Sequence, residues 1–335
     1  MKSAIFQRPN EASICDIPEP QVLEPDDVKI KVIYTSICAD DTAAFTQFRE
    51  RVTPGHEFSG IIVDLGKTAA MTGLAVGDKV TGYTWRFCGK CRFCRAGKEN
   101  LCVNLALTGA MQEYILLKDN QVCKIAPELS MQEGCLFELV ASCIHGIRRA
   151  NLQMGDTVLI LGGGGAGMIL TQLARLSGAS RIVVSEPLAS KRELCLQFGA
   201  DLVLNPYLDQ MVASGLAITD GLGFDCILDA SKNKEAVQEA LPLLSKGGTL
   251  LLFSFYNLKS RIDFSLPMMY TGELTVRTSY MAPYLMEYTM RTMLRLNLKP
   301  LLVSNPFSLD QVQEAFETAF RSRLPRVFMQ VNKEP

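Results

Sequence analysis

Across the first 145 or so residues, apolar and polar positions alternate at period two in short runs. Residues 28–33 (VKIKVI) and 59–64 (SGIIVD) read as strands, with Gly and Pro turns recurring between such runs. This pattern predicts a barrel-like β unit. Long helical patterns are scarce before Met131. From about Asn151 the texture changes. Residues 158–161 (VLIL) are wholly apolar, as a strand buried on both faces should be, and residues 168–176 then carry helical spacing. A second buried strand at 182–184, a helix at 190–198 and a strand at 202–204 come next. Strands are expected at 226–228 and 249–253, with a helix at 236–244 between them. Repeated strand–helix–strand units imply a parallel, doubly wound sheet, and hence an α/β chain. After Tyr280 the pattern reads helix, loop, helix (309–320) and a last strand (326–331).

The length of 335 residues fits about two domains at ~150 residues each. With 48% apolar and 21% charged residues, large cores can form and wholesale disorder is excluded. Lys plus Arg number 34 against 35 for Asp plus Glu, which leaves no electrostatic footprint for nucleic acid or an anionic membrane. The first twenty residues contain no apolar core of seven, and no apolar run reaches ~18. A soluble cytoplasmic protein is expected.

Candidate chemistry begins with cysteine. Four of eleven cysteines fall within residues 88–102, as Cys88-x2-Cys91-x2-Cys94-x7-Cys102. Four thiolates on tight knuckles with one longer return suit tetrahedral zinc, and a closed four-cysteine shell is structural because no position is open to substrate. Ferredoxin-type runs also begin C-x2-C-x2-C, but they continue x3-C-P, whereas here the fourth cysteine comes after seven residues and precedes Val103. Zinc would fold a lobe too short to hold its own core.

A second group is dispersed: Cys38, then His56-Glu57 within Gly55-His-Glu-Phe-Ser-Gly60. A lone histidine or cysteine is often mere packing. A His-Glu pair bracketed by glycines can instead converge on one point, and zinc with three protein ligands acts as a Lewis acid on an alcohol or carbonyl oxygen. A third group is the loop after the first apolar strand, running Gly162-Gly-Gly-Gly-Ala-Gly167. Gly162, Gly164, Gly165 and Gly167 permit a tight turn and close approach of a pyrophosphate to a helix N-terminus. Glu186 ends the second strand, where its carboxylate would accept the ribose 2′-hydroxyl and repel a 2′-phosphate, favouring NAD; Lys191 is a candidate for the same ribose.

On these residues the chain resembles the zinc-dependent medium-chain alcohol dehydrogenases, within them the polyol (sorbitol-type) and threonine dehydrogenase branch. The match runs in order through Cys38-Ala-Asp-Asp41, Gly55-His-Glu57, Gly77-Asp-Lys-Val80, the four-cysteine lobe, the glycine loop and the closing helix–strand. The resemblance implies a GroES-like β-barrel catalytic domain built from both ends of the chain and an inserted Rossmann NAD-binding domain. The expected bounds are 1–147 (with the lobe at 88–102), 148–283 and a return at 284–335. It also implies two zinc ions per chain, NAD, a small-molecule alcohol or ketone substrate, and a homodimer or homotetramer.

Residue by residue, Cys38, His56 and Glu57 match the catalytic zinc positions of the polyol branch. Glu138 resembles the acid beside that zinc, as a ligand directly or through water, and Asp41 the carboxylate that orients the zinc-bound histidine. His145 looks like a structural helix residue. This chain departs from the pattern at Asp40, where the family usually has Ser or Thr, at Ala43, near the place of a relay histidine, and at Leu139, where proline is common. Asp40 or Glu138, through a water, is therefore the expected proton acceptor. The leading reading is a zinc- and NAD-dependent dehydrogenase of a polyol or sugar derivative. A threonine-type amino alcohol dehydrogenase and a catalytically silent NAD-binding protein are its rivals. Trp85, Tyr280 and Tyr284 are possible cleft residues, and Arg86 and Arg277 keep a phosphorylated substrate open.

Overall fold

A computed structural model describes residues 1–47, 52–257, 259–321 and 324–334. The chain forms two compact units, residues 1–141 with 282–335, and residues 142–281.

The first unit is mostly antiparallel β. Its central strand, Asp27–Ile37, pairs with Glu57–Leu65, Tyr114–Lys118 and Val327–Gln330. The alternation read at residues 28–33 reflects only part of this strand, because ten of its eleven positions are buried. Register sets which side chains meet at its C-terminal end. Ser36 lies opposite both Glu57 and Phe328, and Ile37 lies opposite Val327. That end of the central strand therefore collects Cys38, which comes directly after it, Glu57, which opens the next strand, and Arg326, which precedes the last one. Beside these strands Phe6, Phe45 and Phe316 pack with ring centroids 5.0–5.6 Å apart. Full burial of each such ring contributes about 2–3 kcal/mol. That cluster fastens the helix Ala39–Gln47 to the C-terminal helix Val312–Phe320.

The second unit holds a six-stranded parallel sheet. Counted in chain order its strands are Thr157–Leu161, Arg181–Ser185, Leu202–Leu204, Phe224–Asp229, Leu244–Leu252 and Thr275–Thr278. They lie side by side in the order 3-2-1-4-5-6, the doubly wound arrangement of dinucleotide-binding folds. The helix expected at 236–244 is shorter, Lys234–Ala240. Pro242 lacks an N–H and cannot continue the helix, so a single 3-10 turn intervenes and Leu244 already belongs to the next strand. That strand in turn stops at Leu252, one residue before the expected end. The helix Met211–Ile218 and the edge strand Thr275–Thr278 were not expected. The first is nearly all apolar (MVASGLAI) and shows no helical stripe, and the second is only four residues long. No helix among the described residues is long and apolar enough to cross a membrane.

Candidate active site

The lobe at residues 88–102 gathers its four cysteines so that one sulfur from each lies within 4.8 Å of the others. Cys91 Sγ and Cys94 Sγ are 3.5 Å apart. Backbone amides face the sulfurs: Cys88 N donates to Cys102 Sγ at 3.2 Å and Cys91 N to Cys88 Sγ at 3.4 Å. The Lys90 and Cys91 amides hold the Cys88 thiol down at about 6, whereas burial pushes Cys94 up to about 12. Amides aimed at sulfur suit thiolate ligands of one cation, and the all-sulfur donor set is that of structural zinc.

The dispersed group also converges. Cys38, His56 and Glu57 each bring one donor atom to within 4.8 Å of the others, and Glu138 Oε2 lies 3.7 Å from His56 Nε2. Gly55 explains how His56 arrives there. Its φ is +92°, and a Cβ at this position would stand 2.8 Å from Met111 Cγ. Asp41 organises the other side. Its Oδ2 accepts from Cys38 N (2.8 Å), and its Oδ1 accepts from Gly55 N (3.3 Å) and lies 3.3 Å from His56 Nδ1. Burial opposes charge on His56, but the Asp41 carboxylate outweighs it and holds the imidazole well above its usual range. Asp40, one residue earlier on the same helical turn, is exposed.

Glu57 is fully buried. One of its oxygens, Oε2, meets Ser36 Oγ and the Arg326 guanidinium, while Oε1 is buried with no hydrogen-bond partner. Asp41, Glu57 and Glu138 are three carboxylates at 6% exposure or less beside one histidine and one buried arginine. Buried carboxylates need compensating charge, and an orphaned Glu57 oxygen beside a thiol and an imidazole is where a divalent cation fits. The residues present therefore fit a zinc ion. Arg326 and Ser36 escaped the sequence reading, because no local pattern marks residues that meet Glu57 only through strand register.

Around His56 the Trp85 ring lies at 5.9 Å and is itself stacked on Tyr83 at 5.7 Å. Tyr284 packs on Phe87 at 4.7 Å. Tyr280 and Arg86 are exposed, and Arg277 donates to Arg149 O. His145 sits on the helix Phe137–Ala150, and burial pushes its imidazole below the usual range.

In the second unit Gly162 turns at φ +95°, and the helix Gly165–Leu176 starts after the Gly164 cap. Gly165 and Gly167 lie in its buried first turn. Glu186 is 5% exposed, with Oε2 accepting from Gly163 N (2.8 Å) and Oε1 from Leu188 N (2.9 Å). The acid thus clamps the glycine loop while retaining a second lone pair on each oxygen. Lys191 is buried nearby, and burial pushes its ammonium below the usual range.

Two family models match the chain, "Alcohol dehydrogenase GroES-like domain" over residues 24–127 and "Zinc-binding dehydrogenase" over residues 165–299. An L-threonine 3-dehydrogenase of Pyrococcus abyssi is 32% identical over 319 residues, covering 90% of this chain and 89% of the relative. The chain belongs to the zinc-dependent medium-chain alcohol dehydrogenase family. Within this family it is also similar to a D-arabitol-phosphate dehydrogenase of Enterococcus avium, at 28% identity over 100% of this chain and 98% of the relative. A solved structure named as a zinc-binding dehydrogenase of Sinorhizobium meliloti, bound to NADP, superposes with a TM-score of 0.91 at 28% identity over 98% of this chain and 99% of that one. The GroES-like and Rossmann folds expected of a zinc-dependent dehydrogenase are thus present, and the chain is an oxidoreductase.

Proposed function

We propose that this dehydrogenase oxidises a secondary alcohol of a polyol or sugar derivative with NAD, using one catalytic and one structural zinc ion. The observation that carries this reading is the convergence of Cys38 and His56 with the buried Glu57 and Glu138, with Glu57 Oε1 left unpartnered. When bound, zinc supplies a Lewis acid for the alcohol oxygen, and the dinucleotide accepts the hydride.

The protein groups divide the remaining work. Cys38 Sγ, His56 Nε2 and Glu57 Oε1 are the metal donors, with Glu138 beside them. Asp41 fixes the imidazole by taking the Nδ1 side, which sets its tautomer and ring angle. Arg326 and Ser36 hold the other Glu57 oxygen, so the free one keeps its direction. Asp40, exposed at the helix start, or Glu138 receives the alcohol proton through a water. The four cysteines of the lobe hold the second zinc and take no part in the chemistry. Backbone amides of the Gly162–Gly167 loop receive the pyrophosphate, and Glu186 with Lys191 reads the adenosine ribose.

A threonine-type amino alcohol substrate is the second reading, favoured by the 32% identity to the P. abyssi enzyme. A cytoplasmic homodimer or homotetramer completes the proposal. Its supports are eleven cysteines without a disulfide and a sheet ending on the short edge strand Thr275–Thr278, preceded by a helix with Tyr270 85% exposed. The balanced charge supports small-molecule partners over nucleic acid.

The test is a screen of polyols, sugar alcohols, their phosphates and L-threonine for NAD reduction, run beside zinc analysis of the same preparation. Turnover of a polyol with two zinc per chain is expected. Two zinc with threonine alone as substrate selects the second reading, and one zinc with no turnover refutes both. Cofactor choice has its own check: Glu186→Ser should shift the NAD/NADP ratio of kcat/KM about tenfold toward NADP, and an unchanged ratio removes Glu186 from that role.

A further inference from the structure

Six described non-glycine residues have positive φ. Three of them, Asn10, Asn151 and Asp220, carry the short polar side chains that tolerate the left-handed region. Lys232, at φ 58°, does not. It occupies the loop after the strand Phe224–Asp229, the neighbour of the Thr157–Leu161 strand that leads into the glycine loop. This is the point where the strand order reverses and where doubly wound sheets bind their ligands.

A closed network imposes the strained conformation. Asp229 is fully buried; its Oδ1 accepts from Ser231 N (3.0 Å) and Oγ (2.6 Å), and its Oδ2 from Tyr256 Oη (2.6 Å). Lys232 N donates to Ser254 Oγ at 3.1 Å, and Asn233 caps the next helix by accepting from Glu235 N and Ala236 N. The loop is also pressed against the glycine turn. Ala230 N donates to Leu161 O at 2.8 Å, and a Cβ on Gly162 would stand 2.9 Å from Ala230 O and Ser231 Cα. The glycine loop itself carries no cationic side chain, and the residues flanking it, Glu186 and Asp229, are both acidic. A glycine at 232 would adopt this turn without strain. Strain that persists because its surroundings enforce it points to function.

We propose that Lys232 is a dinucleotide-binding residue whose ammonium pairs with a phosphate of the bound cofactor. The proposal rests on the dinucleotide reading of the glycine loop. That phosphate is the pyrophosphate, which NAD and NADP share.

The experiment measures binding of NADH and of NADPH to the zinc-loaded protein by titration calorimetry, with melting temperatures, for wild type, Lys232→Asn and Lys232→Arg. Asparagine accepts the left-handed conformation and removes the charge, so its melting temperature should equal or exceed wild type. Its Kd should rise about tenfold, the arginine variant should stay within about threefold of wild type, and the Asn penalty should shrink in high salt. Equal weakening of both cofactors is expected for a pyrophosphate contact; weakening of NADPH alone overturns it. Unchanged affinity for both cofactors, or arginine no better than asparagine, overturns the proposal. Failure of the wild type to bind either dinucleotide overturns the reading beneath it as well.

Discussion

The two candidate metal-ligand groups of the first unit are built in opposite ways. The lobe draws four like ligands from fifteen consecutive residues, three of them half-exposed, and holds them with its own backbone amides. The second group draws unlike candidate ligands from Cys38, His56-Glu57 and Glu138, of which Glu57 and Glu138 are buried, and surrounds them with Asp41, Ser36 and Arg326. A local, symmetric, all-thiolate set satisfies its metal completely and so can only stabilise. A dispersed set with mixed donors and an orphaned carboxylate oxygen is held open by the fold around it, which is the condition for chemistry.

This contrast can be broken most sharply at His56. His56→Ala should lower kcat/KM by about a thousandfold or more, since a Lewis-acid metal supplies several kcal/mol of transition-state stabilisation. Zinc content should fall from two per chain to one. Loss of both ions would mean that the two groups are not independent, and retention of both would remove His56 from the ligand set.

A narrower test separates the two candidate proton acceptors. A general base contributes about 10²–10⁴ in rate. Of Asp40→Asn and Glu138→Gln, the variant lacking the proton acceptor should lose kcat in that range while its zinc content and NADH affinity stay at wild-type values. Near-normal kcat in both would send the proton directly to bulk water. A loss of zinc in Glu138→Gln alone would make Glu138 a ligand first.

The smallest effect on chemistry is expected in the lobe. Cys91→Ser should remove one zinc and lower the melting temperature by about 5 °C, as a loss of about two kcal/mol does in a domain of this size. The kcat of the folded fraction should stay within about threefold of wild type. Unchanged melting with two zinc ions retained would refute a structural metal there, and a kcat loss as deep as that of His56→Ala would erase the distinction between the groups.

How much of this could be read from the sequence depended on the range of each interaction. The lobe, the glycine loop and the buried parallel strands are local: ligand spacing, glycine at fixed offsets and a run such as Val-Leu-Ile-Leu at 158–161 are complete within a few residues. The His56-Glu57 pair was visible too, but not what each side chain would face. Helix ends depended on one local cue, Pro242, that the apolar spacing of 236–244 concealed.

Arg326 beside Glu57 was beyond any local pattern. It results from Val327 lying opposite Ile37 and Ser36 opposite Glu57, and such register is set by the packing of whole strands. The left-handed Lys232 is of the same kind, since the bonds enforcing it come from Asp229 at one strand end and from Ser254 and Tyr256 in the loop after another. Sequence determines a ligand set when the chain need only turn back on itself. Pairing of buried charges between strands far apart in the chain exists only once the sheets have closed, because burial makes those charges depend on one another.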